Sequence, residues 1–122
     1  MSKIKKFEDI IAWQKAREIV NDLYNIIEND DRFRKDYNLR DQVFRASFSI
    51  MLNIAEGFGR RTNKEFIQFL NVAHGSTAEI QSALYIAVDR KYINEINFTF
   101  LYDKAGEISK MIMGLIKYLS SN

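Results

Sequence analysis

The chain has 122 residues, a formal net charge of +2, no cysteine and no proline. That length suits one domain around one core, and the lack of cysteine excludes disulfides and thiolate chemistry. Average usage would supply about six prolines. Their absence argues against a sheet protein with many punctuated turns and for long helices, whose interiors reject proline. A balance so close to neutral permits contact with nucleic acid without arguing for it.

The N-terminal run Met1-Ser2-Lys3-Ile4-Lys5-Lys6 is basic, but Glu8 and Asp9 follow it, and no apolar stretch of signal-peptide or membrane length appears. A cytoplasmic protein without membrane contact is expected. Apolar spacing then predicts four helices. The first covers Phe7 to Ile27, through Trp13, Ala16, Val20, Leu23 and Ile27. Between Glu28 and Tyr37 the chain is polar and charge-rich and reads as a connection. The second helix covers Asn38 to Phe58, through Leu39, Val43, Ala46, Ile50 and Ile54.

That helix closes into the segment Asn53-Ile54-Ala55-Glu56-Gly57-Phe58-Gly59-Arg60-Arg61-Thr62. Gly57 and Gly59 suit the left-handed conformation that ends a helix, and Thr62 with Glu65 reads as a capping box opening the next one. The segment is thus a helical hairpin with Arg60, Arg61 and Lys64 at its tip. The third helix covers Asn63 to Arg90, through Phe66, Leu70, Ala73, Thr77, Ile80, Leu84 and Ala87. The fourth covers Glu95 to Leu119, through Phe98, Leu101, Ala105, Ile108, Ile112, Leu115 and Leu119.

Alternating spacings of three and four are the seam of a helical bundle. Short connections near 59–62 and 91–94 make their neighbours antiparallel. The expected fold is a single-domain, all-α, up-down-up-down antiparallel four-helix bundle spanning 1–122. Its apolar surface is wider than one seam needs. Ile10, Ile11, Ile19, Tyr24 and Ile26 are extra on the first helix, and Phe44, Phe48, Met51 and Leu52 on the second. Phe100, Tyr102, Met111, Met113 and Ile116 are extra on the fourth. Such residues are either scattered surface apolars or a contact between copies of the chain, and the second reading is preferred.

Pairing the second and third helices about a turn near Arg60 sets Asn53 opposite Gln68 and Arg45 near Glu79. An Asn53–Gln68 hydrogen bond and an Arg45–Glu79 ion pair are expected as register-fixing devices, with Glu56 and Arg60 paired one turn apart. The small residues Ala73, Gly75, Ser76, Thr77 and Ala78, with Gly106 and Gly114, suggest close helix approach. Glu56 and Glu79 lack the Glu-x-x-His spacing of di-iron bundles, and the single histidine, His74, has no acid at a ligand-like offset. No catalytic apparatus, cofactor site or metal site is visible, so an enzyme is not expected.

An up-down bundle brings the N-terminus, the 59–62 turn and the C-terminus to one end. There Lys3, Lys5, Lys6, Arg60, Arg61, Lys64 and Lys117 face Glu8, Asp9, Glu56 and Glu65, while the opposite end mixes signs evenly. The basic end reads either as a phosphate-binding surface for RNA or DNA or as a solvated cluster. Lys3, Lys5, Lys6, Arg60, Arg61 and Lys64 are its candidate contacts.

Several residues also carry a family likeness. They are Phe7-Glu8-Asp9-Ile10 with Trp13-Gln14-Lys15-Ala16, Gln42 with Arg45-Ala46, Asn53-Ile54-Ala55-Glu56-Gly57, Glu65-Phe66 with Phe69-Leu70, and Ala73 with Gly75-Ser76 and Glu79. Together they resemble the four-helix-bundle proteins encoded in intervening sequences of bacterial 23S ribosomal RNA genes, over nearly the whole chain. The resemblance implies a bundle that assembles as a ring of five copies, and it does not imply an enzyme. It also points to a related branch that assists reverse transcriptases of diversity-generating retroelements, so a protein partner is a further expectation. Met51 stands where that family has a proline, leaving nothing to impose its kink, and Phe44 replaces an arginine and removes one positive charge.

Overall fold

A computed structural model describes residues 4–121. A single 3-10 turn, Phe7–Asp9, precedes α1 (Ile11–Glu28), the short α2 (Asp31–Lys35), α3 (Tyr37–Phe58), α4 (Asn63–Asp89) and α5 (Glu95–Ser120). The four long helices pack in a closed ring, α1 on α3, α3 on α4, α4 on α5 and α5 back on α1. Cross-helix pairs fix the directions. Asp22 meets Lys104 while Lys15 meets Glu107, and Gln81 meets Tyr102 while Asn63 meets Leu119, so both pairs run antiparallel. This is the expected all-helical bundle.

Most starts are set by side chains that accept an otherwise orphaned N–H. Asp30 caps α2 through Phe33 N–H, and Asp36 caps α3 through Leu39 N–H. Thr62 caps α4 through Glu65 N–H, and Asn94 caps α5 through Asn97 N–H. The core is aliphatic, with Ile19, Leu23, Ile50, Ile54, Leu70, Ile80, Leu84, Leu101, Ile108 and Ile112 all fully buried.

Several expectations are corrected. The first helix is not continuous from Phe7, because Ile10 is extended and separates the 3-10 turn from α1. Its buried line is Ala12, Ala16, Ile19, Leu23 and Ile27. Ile10 and Ile19 are therefore core residues and not surplus surface, and Trp13 and Val20 are only half-buried. The polar connection holds α2, whose Phe33 is fully buried and stacks on Tyr92 at 5.3 Å. The Tyr92 hydroxyl donates to Asp36 at 2.9 Å, and that bond holds its proton above the usual phenol range. One tyrosine thus ties the α4–α5 connection to the start of α3.

Neither glycine of the hairpin is left-handed. Gly57 continues the helix, and Gly59 caps it in the right-handed region at φ −77°. The only positive φ among the described residues belongs to Lys91, at 62°. There Tyr92 N–H returns to Ala87 O and Lys91 N–H to Val88 O, the Schellman closure that usually employs glycine. The capping box at Thr62 is half formed. Its hydroxyl accepts from Glu65 N–H and donates to the Glu65 carboxylate, both at 3.1 Å.

The register pairs also differ. Asn53 Nδ2 donates to Ser49 O at 2.8 Å and Ser49 Oγ at 3.0 Å, not to Gln68, which lies exposed. Ser76 Oγ then donates to Ser49 Oγ at 2.8 Å and links α4 to α3. Gln42, not Arg45, holds Glu79, at 3.1 Å. Arg45 sits about 60° further round α3, beside Tyr24 and Phe48 in the α1–α3 groove, with no ion-pair partner among the described residues. Gly75 and Gly114 face open space, so they mark no close helix approach.

Candidate nucleic-acid interface

Three stretches distant in sequence meet at one end of the bundle. Asn63 Nδ2 donates to Leu119 O at 3.4 Å, joining the start of α4 to the end of α5. Ile4, Arg60, Arg61, Leu115 and Tyr118 border a common opening, which places the N-terminal segment beside both.

The basic residues differ in what they already hold. Arg60 Nη2 lies 2.6 Å from Glu56, the expected pair, and its guanidinium covers the Phe69 ring at 4.8 Å. It is the most committed cation of the set. Lys5, Lys6, Arg61, Lys64 and Lys117 are exposed and have no ion-pair partner among the described residues. Lys3 lies outside the described residues.

The local acids are partly occupied. Asp9 accepts the backbone N–H groups of Lys5 at 3.0 Å and Lys6 at 3.2 Å. The Lys5 bond is the larger influence holding its carboxyl below the usual carboxylate range. Glu56 serves Arg60, and Glu65 serves Thr62. The far end contrasts with this. There Arg34 pairs with Asp31 at 2.8 Å, Arg40 with Asp41 at 3.1 Å, and Arg32 with Asp30 at 4.0 Å. Lys35, Arg90 and Lys91 of that end are exposed without an ion-pair partner among the described residues. The two ends therefore differ in their balance of charge: the far end also carries Asp30, Asp31, Asp36, Asp41 and Asp89, close to one acid per cation.

Sequence reasoning anticipates this gathering of lysines and arginines but not the opening between them, whose walls come from three separate segments. Nor does it anticipate Lys104 of α5, which reaches Asp22 at 2.7 Å and Glu18 at 3.0 Å on α1. Each of these charges lies on a different helix face from the apolar seam, so only the three-dimensional packing reveals their meeting. No group of three or more His, Asp or Glu among the described residues could hold a metal ion, and no described helix is long and apolar enough to cross a membrane.

Residues 8–114 match the 23S rRNA-intervening sequence protein family, in agreement with the resemblance read from the sequence. Among solved structures, the chain is similar to a protein of unknown function of the S23 ribosomal protein family from Bacteroides thetaiotaomicron VPI-5482. The two are 24% identical, with 87% of this chain and 98% of that one covered and a TM-score of 0.80. At that identity the likeness speaks for the fold alone. No curated protein matches the sequence.

Proposed function

The chain belongs to the 23S rRNA-intervening sequence protein family, and on that premise we propose that it is a cytoplasmic, non-enzymatic, self-associating bundle that binds RNA or DNA phosphates through one end. The observation that carries this reading is the contrast between the two ends. At the far end Arg32, Arg34, Lys35, Arg40, Arg90 and Lys91 stand among Asp30, Asp31, Asp36, Asp41 and Asp89. At this end Lys5, Lys6, Arg60, Arg61, Lys64 and Lys117 outnumber Glu8, Asp9, Glu56 and Glu65. All of these cations but Arg60 face solvent without an ion-pair partner among the described residues. Unpaired surface cations release bound counterions when a phosphate chain docks, and that release drives sequence-independent affinity. The contacts position the backbone and do not read bases.

Self-association draws its support from apolar side chains left in water. Leu52 is 63% exposed and Ile96 78%, with Val72, Tyr85, Ile86 and Met113 also outside the core. In a ring of copies, five by the family resemblance, the basic ends repeat about the axis and their fields add. The same exposed residues favour a second reading, a scaffold for a protein partner without affinity for nucleic acid.

Light-scattering mass across a size-exclusion peak, with absorbance at 260 and 280 nm, tests both halves. A multimer that carries nucleic acid until salt removes it is the expected result. A clean multimer that also fails to bind added RNA or DNA leaves the scaffold reading, and a monomer removes the ring. Arg61→Glu with Lys64→Glu abolishes binding while the multimer persists.

A further inference from the structure

The opening at the basic end has a volume of about 230 Å³. Its lining joins Phe58, Phe66 and Leu115 to Arg61, Asn63 and Tyr118. Phe58 and Phe66 meet edge to face at 6.1 Å and 79°, which forms a corner instead of a filled stack. An inorganic phosphate would leave the apolar part of the lining unused. An uncharged apolar peptide would leave the unpaired cations nearby unused. A flat apolar group carried on an anionic chain uses both.

We propose that this opening receives one unpaired nucleobase, so that the basic end prefers single-stranded nucleic acid to duplex; the inference rests on the phosphate reading above. Aromatic walls beside cations are the general means of holding single strands, because every base offers a π-face. A duplex must first flip a base out of its stack to fill the same space. Charge density alone works the other way, since duplex DNA carries more phosphates per unit length. A preference for the strand therefore cannot come from electrostatics.

The test is fluorescence anisotropy of the full chain with labelled oligonucleotides of one length at one salt concentration. The probes are a single strand, its duplex, and a strand with the same phosphates but abasic sites. The strand binds about ten-fold tighter than the duplex, within the range one base stack supplies, and the abasic strand falls back to the duplex level. Ile4→Trp puts an indole into the opening from a half-buried position outside the bundle seam. That variant keeps duplex affinity and its salt dependence and loses the preference.

Equal, salt-sensitive binding of all three probes overturns the inference and leaves the phosphate reading standing. Failure of every probe to bind overturns both. If decanoate binds the opening while strand and duplex remain equivalent, the site belongs to an acyl anion. If Ile4→Trp breaks the multimer, the opening is a contact between copies, and the inference again falls.

Discussion

Gly57 of α3 stands against Phe66 of α4 with no room for a methyl group between them. A Cβ on Gly57 would lie 2.8 Å from Phe66 Cδ1 and 2.8 Å from Phe69 Cβ. Phe69 Cβ sits next to the backbone and cannot swing aside, so the helices must part to admit an alanine. Overpacking of this kind costs about 1–3 kcal/mol, against about 1 kcal/mol gained in helix propensity. Gly57→Ala therefore lowers stability by up to about 2 kcal/mol in urea unfolding. Gly75→Ala is the control, because nothing lies within 4 Å of its new methyl group, and it raises stability by up to about 1 kcal/mol. Equal effects of the two substitutions would remove the close-approach explanation.

Lys91 occupies the left-handed position that ends α4, at φ 62°. A side chain costs about 1–2 kcal/mol there, and glycine avoids most of that. Lys91→Gly raises stability by about 0.5–1 kcal/mol, whereas Lys91→Ala, which keeps the Cβ, gives no gain. The carbonyl that accepts from Arg32 is retained in both. A thermal midpoint that rises equally in the two variants would assign the effect to charge and not to backbone.

The fold was legible because the seam residues of the second, third and fourth predicted helices keep their spacing of three and four without interruption. Two kinds of feature escaped it. Phe33 is a lone apolar residue in a charged stretch, too short for a periodicity to show, although Asp30 three places earlier is a cap signal. The α3–α4 polar contacts escaped for a rotational reason. Gln42 and Ser49 lie within about 20° of one line along α3, while Arg45 lies about 60° off it. Choosing partners by register alone picks the right turn and the wrong face. Of the site, the cations were legible one by one, while their freedom from ion pairs depends on which acids the caps had already taken.

Ser76 is buried, and its hydroxyl reaches both Ser49 Oγ on the neighbouring helix and Val72 O on its own. Ser76→Ala leaves the Asn53–Ser49 bonds in place but removes the hydroxyl–hydroxyl bond that joins α4 to Ser49. A net cost of about 1 kcal/mol is expected, with the fold kept. Ser49→Ala in the same background costs only the remaining Asn53 Nδ2–Ser49 Oγ bond, because the Ser76–Ser49 bond that both substitutions remove is already gone. Full additivity in that double-mutant cycle would show that the two hydroxyls do not act together.

Lys104 joins α5 to α1 through Asp22 and Glu18, with its side chain 14% exposed. Burial works against its charge, but the hydrogen bonds it donates to Asp22 and Glu18 outweigh this and raise its pKa above the ordinary lysine range. The bond from Lys104 holds Glu18 below the ordinary carboxylate range. A raised pKa gives stability that is complete below the unfolded lysine value and is lost as pH rises through the folded one. A lowered pKa gives stability present above the unfolded carboxylate value and lost as pH falls through the folded one. Lys104→Met is thus less stable than the parent by about 1 kcal/mol at neutral pH, with the gap narrowing below about pH 4 and above about pH 10. A gap that stays constant across that range would mean the lysine acts through packing of its methylene stem and not through charge.

Arg60 and Arg61 are neighbours with different commitments, and that difference separates a phosphate-binding end from a merely basic one. Arg60 already holds Glu56 at 2.6 Å and covers Phe69, so lending it to a phosphate means breaking or sharing an existing pair. Arg61 has no such pair among the described residues and releases only counterions when it binds. Each phosphate contact contributes close to one unit to the slope of log K against log salt, about 0.9 on duplex DNA and 0.7 on single strands. Arg61→Gln therefore reduces that slope by nearly a full contact, while Arg60→Gln reduces it by less than half as much. Conversely, Arg60→Gln frees the helix end and lowers thermal stability more than Arg61→Gln. The two readouts move in opposite order only if binding uses the free cations of this end. Equal slope losses would mean that phosphate meets the turn by overall charge alone, and no slope change in either would place the nucleic acid elsewhere on the protein.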